Sequence, residues 1–245
     1  MTTFSDRLAG VEERIAAACR RAGRARSDVR LMAVSKTHPA SAIVEAVSVG
    51  LTLFGENRVQ EFERKSAELT GSGTAVRAGA ASAGIEVHLI GHLQSNKAAK
   101  AAQIFSAVDT VDSLRLAERL NEAASRQGSV LPVLLEIKLS AEETKTGLDS
   151  AGAELSELLE RAPDFANVRV RGLMTMPPLD DDAQSARACF RQLHELRERL
   201  AQAYPKLDLS ELSMGMSGDF EIGIEEGSTL IRIGTALFGA REARV

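Results

Sequence analysis

The sequence of 245 residues has no tryptophan, one tyrosine and two cysteines. Aromatic residues make up 4% of it, so there is little to stack on nucleic-acid bases. Neither charge sign dominates: 30 Lys and Arg stand against 34 Asp and Glu, for a formal net charge of −4. A mildly acidic chain lacks the electrostatic footprint of a bulk nucleic-acid binder. Cys19 and Cys189 lie far apart, in stretches that read as helix and without metal-ligand spacing, so they read as two reduced thiols. No apolar run approaches membrane-spanning length; the longest, 130–139, is interrupted by Glu136 and Lys138. Met1 to Arg21 carries charge from Asp6 onward and has no apolar core of a signal peptide. The expectation is a cytoplasmic protein that meets neither nucleic acid nor membrane.

What remains is an ordinary globular mix, 44% hydrophobic and 26% charged, which excludes disorder, collagen and coiled coil. The length allows one large domain or two small ones. Phe4, Leu8, Val11 and Ile15 mark one helix face. Short apolar runs then alternate with helical patterns. Strands are expected near 31–34, 51–54, 87–90, 104–108, 130–137, 168–174, 209–212 and 229–233. Helices fall between them, the longest at 183–203. This alternation means a parallel sheet with crossover helices, and eight units in about 250 residues suit a (β/α)8 TIM-type barrel. The chain stops soon after the eighth strand, so the N-terminal helix, 4–21, takes the place of the eighth helix. A doubly wound open sheet is the competitor. It would carry a Gly-rich fingerprint after strand one, where this chain has Ser35-Lys36-Thr37-His38-Pro39. The whole chain, 1–245, reads as one domain. Residues 70–84 lack periodicity and read as a flexible insertion on the barrel's bottom face, away from chemistry.

Barrel chemistry sits at the C-terminal ends of the strands. That rule selects Lys36, Asn57, His88, His92, Asp109, Asp112, Glu136 and Lys138, then 213–217 and 232–235. A lysine at the barrel mouth, after an apolar run, is partly desolvated and can serve as a Schiff-base nucleophile; a lysine reaching to water at a strand end is the equal alternative. Gly- and Ser-rich turns after the last two strands can receive a phosphate, although each alone is more often a plain turn. Arg232, set among Leu230, Ile231 and Ile233, needs an acceptor: a structural carboxylate or a cofactor ring nitrogen. Asn57 suits either a place near a ligand or, with Gln60, a helix cap. His88 and His92 flank a strand end without an HExxH frame and read as hydrogen-bonded structural histidines, so no metal site is expected.

Several blocks in order carry a resemblance: Ala33-Val34-Ser35-Lys36-Thr37, Phe54-Gly55-Glu56-Asn57-Arg58-Val59-Gln60-Glu61, His88 through Lys97, Arg171-Gly172-Leu173-Met174, Leu212 through Asp219, and Ile231 through Gly239. The chain resembles the pyridoxal phosphate homeostasis protein family, single-domain relatives of the alanine racemase N-terminal barrel (fold type III). The resemblance implies that Lys36 holds pyridoxal 5′-phosphate (PLP) as a Schiff base. It implies that Ser217, Gly234 and Thr235 hold the phosphate, with Ser213 beside them. Arg232 would face the pyridine nitrogen and Asn57 would lie near the ring. A permanently charged arginine discourages protonation of that nitrogen, which weakens the electron sink and damps carbanion chemistry. The function implied is intracellular PLP homeostasis by a cofactor carrier, without robust catalysis and without assigned catalytic residues. PLP-dependent apoenzymes would be the recipients, and a monomer is expected. The alternatives are an amino-acid racemase and, further off, a Schiff-base aldolase on a phosphorylated substrate. A racemase commonly uses a second base, a tyrosine from a further domain in alanine racemases, and the sole tyrosine here, Tyr204, sits at the end of an outer helix.

Overall fold

The strands are buried almost throughout, and alternate side chains along them join two separate apolar clusters. The computed structural model describes residues 2–76, 84–139, 146–178 and 182–239. In chain order the strands are β1 (Arg30–Val34), β2 (Leu53–Glu56), β3 (Glu86–Leu89), β4 (Ala107–Val111), β5 (Leu131–Lys138), β6 (Leu148–Asp149), β7 (Val168–Met174), β8 (Glu211–Ser213) and β9 (Leu230–Ile233). The helices are α1 (Phe4–Arg21), α2 (Ala40–Ser48), α3 (Val59–Gly71), α4 (Ala98–Ile104), α5 (Leu114–Arg126), α6 (Ala153–Arg161), α7 (Ala183–Ala203), α8 (Phe220–Glu225) and α9 (Thr235–Phe238). The sheet runs β4-β3-β2-β1-β9-β8-β7-β5, and a β4–β5 pairing closes it. All pairings are parallel, so eight strands form the expected barrel; the two-residue β6 pairs only with the end of β5.

Met32, Val34, Leu53, Ile90, Leu134, Met174 and Leu230 cluster inside the barrel. Their sequence neighbours, such as Leu31, Ala33, Phe54, Leu89 and Leu135, join the larger core between sheet and helices. Helix α1 starts with a capping box, in which Thr3 and Asp6 bond each other's backbone, and buries Phe4, Val11, Ile15, Ala18 and Cys19. It packs on α8 and α9, which is the eighth-helix position. Both cysteines are buried, and neither is in a disulfide. Among the described residues no helix is long and apolar enough to cross a membrane.

Several strand boundaries move by a few residues relative to the sequence reading, those of β4 and β2 for physical reasons. Strand β4 begins at Ala107 rather than 104, because Ile104 closes α4 and Phe105 packs against Phe62 with ring centroids 4.8 Å apart. It also continues through Asp109 and Thr110, which therefore lie within the strand, not after it. Strand β2 likewise extends to Glu56. In both cases the polar residues are buried and hydrogen-bonded, so polarity did not mark a loop. The segment read as an insertion divides: α3 reaches Gly71, Val76 bridges Ile85 just ahead of β3, and 77–83 lie outside the described residues. Both ends of the segment thus sit at the N-terminal rim of the barrel. Before α7, the Asp182 carboxylate accepts from the Gln184 N–H as helix cap.

Candidate functional site

Four consecutive strands, β2, β1, β9 and β8, bring together at their C-terminal ends the residues singled out in the sequence. Asn57 follows β2 and Lys36 follows β1; Arg232 lies in β9 with Gly234 and Thr235 just after it, and Ser213 ends β8 with Ser217 in the turn beyond. Ala33 pairs with Phe54 on one side of β1 and with Ile233 on the other. A Cβ built on Gly234 would lie 3.4 Å from the Val34 carbonyl, so the turn after β9 rests on the end of β1.

Lys36 is half-buried. Met32 and Val34 face the barrel interior, and Lys36 lies in the turn directly after the end of that strand. The backbone on both sides of it is tied down. Ser35, fully buried, donates its hydroxyl to Glu56 Oε1 at 2.7 Å. Lys65 Nζ donates to the Ser35 carbonyl at 2.9 Å and to Glu56 Oε1 at 2.8 Å, and lies 2.9 Å from Glu61 Oε1. The same Glu61 oxygen accepts the Thr37 N–H at 2.6 Å. Thr37 takes the left-handed conformation, φ 69°, which β-branched residues rarely adopt, and this network holds it there. Burial pushes the Glu56 carboxyl up from the usual range, and the Lys65 ammonium opposes that. His38 follows, its ring stacked on Phe238 at 5.1 Å.

Arg232 is 4% exposed and has no carboxylate within ion-pair distance among the described residues. Its Nη1 donates to Ser213 Oγ at 2.6 Å and its Nη2 to the Thr175 carbonyl at 2.9 Å. Burial lowers its pKa, while Asp109, Asp219 and Glu136 oppose this at longer range. The structural-carboxylate reading of Arg232 thus gives way to two neutral acceptors. On the far side of β9, Ser217 Oγ accepts the Gly234 N–H at 3.2 Å and the Ala236 N–H at 3.4 Å. Thr235 is exposed beside them. Backbone donors and hydroxyls that converge this way make a cradle for a phosphate-sized anion. Ser213 is not in that cradle; its hydroxyl is engaged by Arg232.

Asn57 does not cap α3, whose N-cap is Arg58 and has no side-chain cap bond. It is wedged against the β3–α4 turn instead: a Cβ on Gly91 would come within 2.2 Å of the Asn57 carbonyl and 2.8 Å of its side chain, so only glycine fits. His88 and His92 each bond a carboxylate, Asp109 at 3.1 Å and Asp112 at 3.0 Å. Glu136, also buried, has its pKa raised by burial and by Asp112. Tyr204 follows the last residue of α7, at the opposite end of the barrel from Lys36.

A family profile described as the alanine racemase N-terminal domain matches residues 8–242. Curated relatives named pyridoxal phosphate homeostasis protein are 41% identical over 237 residues in Aquifex aeolicus and 40% identical over 242 residues in Escherichia coli. Those alignments cover 97% and 99% of this chain and 98% of each relative. This chain belongs to the pyridoxal phosphate homeostasis protein family. PipY of Synechococcus elongatus, solved with PLP bound, superposes with a TM-score of 0.79 at 42% identity, over 94% of this chain and 100% of that one. An alanine racemase of Clostridium difficile superposes with a TM-score of 0.73 at 14% identity, over 96% of this chain and 57% of the racemase, and shares the fold.

Sequence reasoning missed the Ser35–Glu56–Lys65–Glu61 network that frames Lys36. One signal was available. In α3, Val59, Phe62, Lys65 and Leu69 are the buried residues, so a lysine occupies the apolar stripe of an amphipathic helix. Glu61 precedes it by four residues, the favourable orientation for a helical ion pair.

Proposed function

We propose that this protein holds pyridoxal 5′-phosphate as a Schiff base on Lys36 and serves intracellular PLP homeostasis as a carrier. The observation that carries the reading is the alignment of three features on adjacent strand ends. These are a half-buried lysine just past β1, a buried arginine with neutral hydrogen-bond partners, and a turn rich in N–H and hydroxyl groups. Relatives of nearly equal length bear the homeostasis name, and a structure at 42% identity was solved with PLP.

Bound PLP supplies an aldehyde carbon and, when its ring nitrogen is protonated, an electron sink. Lys36 contributes the amine, which condenses with the aldehyde and releases water. Ser217, whose Oγ accepts the Gly234 and Ala236 N–H groups, would hold the phosphate together with Gly234 and Thr235. Arg232 offers an N–H toward the ring nitrogen and, as a permanent cation, disfavours a proton there. Ser213 and the Thr175 carbonyl fix the guanidinium in that attitude. Asn57 lies against the ring. Such an arrangement keeps the aldehyde tethered while weakening carbanion chemistry, which suits storage and delivery to PLP-dependent apoenzymes by a monomer. A racemase would need a second base across the ring, and the sole tyrosine is at the wrong end of the barrel.

The test is the visible absorption spectrum of the purified protein after loading with PLP and removal of unbound cofactor, before and after borohydride, for wild type and Lys36→Ala. With no tryptophan, a cofactor band stands clear of protein absorbance. We expect a band in wild type that reduction abolishes, with the cofactor fixed at Lys36, and none in Lys36→Ala. A wild type that stays colourless refutes the reading.

A further inference from the structure

A second polar groove opens on the same face, between the β2–α3 and β3–α4 turns. Its volume is about 350 Å3. The polar lining is Asn57, Arg58, Gln60, His92, Gln94 and Lys97, over a buried floor of Val59 and Leu93; none of these carries a carboxylate. We propose that this groove binds a small oxyanion, a carboxylate or a phosphate, next to Lys36.

Arg58 is exposed and Lys97 half-buried, and neither side chain makes a hydrogen bond or ion pair among the described residues. Both groups are donors only, so a ligand that takes them from solvent must offer oxygen acceptors. Most other charges nearby are already spent. Glu61, in the first turn of α3, is committed to Lys65 and the Thr37 N–H. Asp112 holds His92 Nδ1 at 3.0 Å, and the His92 side chain, 51% exposed, lines the groove. The positive end of α3, a helix of 13 residues without a side-chain cap, adds to the field. A guanidinium fork, an ammonium, three amides and an imidazole around an apolar floor form a donor-rich pocket in a chain of net charge −4. The groove meets the Lys36 site through Asn57, so its occupant would sit beside whatever Lys36 carries. The proposal stands whether or not that is a cofactor.

The test titrates inorganic phosphate, and separately acetate, into the full-length protein, followed by amide NMR. Wild type is compared with Arg58→Gln/Lys97→Gln and with Ser217→Ala. We expect saturable shifts at Asn57, His92 and Leu93 in wild type, weakened by raised salt. The double variant should bind at least about tenfold more weakly, as loss of charge-assisted bonds implies. Ser217→Ala should leave these shifts unchanged, which separates the groove from the β8–β9 cradle. Saturation by phosphate alone identifies a phosphate site; saturation by acetate identifies a carboxylate site. Shifts that do not saturate with either anion, or a double variant that binds as tightly as wild type, overturn the proposal. Unchanged resonances elsewhere show that the variant is folded. A groove that takes no anion in a protein that forms the Lys36 band sinks this proposal alone. A groove that binds in a protein that never forms the band sinks the cofactor reading alone.

Discussion

Replacing Lys65 by methionine keeps the length and apolar stem of the side chain and deletes its ammonium. The Lys65 side chain is 8% exposed and the Glu56 side chain not at all, so this is a buried ion pair. Removing one partner of such a pair costs about 3–5 kcal/mol, because the other charge stays in the low dielectric. Glu56 has no slack to absorb the loss: its Oε2 already lacks a partner, and Oε1 would keep only the Ser35 hydroxyl. For a chain of 245 residues the unfolding entropy makes 1 kcal/mol about 2 °C in Tm, so the expected drop is about 6–10 °C. The pH dependence has a definite sign. Burial raises the folded Glu56 pKa and Lys65 holds it down; without Lys65 it rises further. A carboxyl with a raised folded pKa stabilises most when protonated, so the gap between variant and wild type should narrow as pH falls toward the carboxylate range. Thermal unfolding by circular dichroism at neutral and mildly acid pH measures both. Removing the second charge as well, in Lys65→Met/Glu56→Leu, should recover part of the loss. A Lys65→Met protein that melts within about 1 °C of wild type at neutral pH would refute the assignment of this pair as the brace of the Lys36 turn.

Two further outcomes concern the barrel itself. Gly172 sits in β7 at φ 154°, and a Cβ there would fall 1.8 Å from the Glu211 carbonyl of the paired strand β8. Gly172→Ala should therefore part β7 from β8 and cost more than about 2 kcal/mol, read by urea unfolding; an unchanged midpoint would contradict the close approach. His88 is buried, and burial alone would lower its pKa, but the Asp109 charge and hydrogen bond, with Glu86, raise it to about 9 from 6.5. A raised folded pKa gives stability that is full below 6.5 and lost as pH climbs through 9, worth about 3 kcal/mol. Wild type should lose stability between those limits, and His88→Gln should lose less; parallel profiles would argue against a protonated imidazole.

The fold was legible because the barrel's period is written in apolar runs of the right length and spacing. Where boundaries slipped, polar residues inside strands were the cause. Asp109, Thr110 and Glu56 read as loop residues by polarity, yet each is satisfied within the barrel wall by His88, the Gly91 carbonyl, or Ser35 and Lys65. The candidate site was legible for a related reason: residues that must face a ligand cannot be spent on packing. They stand out as a lysine after an apolar run and as Gly–Ser turns. The residues that support them carry no such mark. Lys65 and Thr175 look like an outer helix lysine and an ordinary threonine, and only the register of β1, β2 and β7 brings them to Ser35 and Arg232.

That division extends to the charge along the barrel axis. Arg232 enters the interior with neutral partners at hydrogen-bond distance and three carboxylates farther off. One of them, Asp109, is itself bound to His88, which is held protonated from the other side by Glu86. A carboxylate placed directly on Arg232 would saturate the guanidinium and leave nothing for a ligand. One removed entirely would leave a buried cation uncompensated, at a cost no loop could recover. Sharing Asp109 with His88 satisfies both conditions: the field that keeps Arg232 charged is present, and its N–H groups stay available at the mouth. Removing the His88 charge should therefore change the Arg232 environment as well as stability. In the PLP-loaded protein, His88→Gln should shift the visible band or its pH titration, whereas Arg20→Gln, at an exposed position in the last turn of α1, should not. Identical spectra for wild type and His88→Gln across pH would show that the histidine serves the barrel alone.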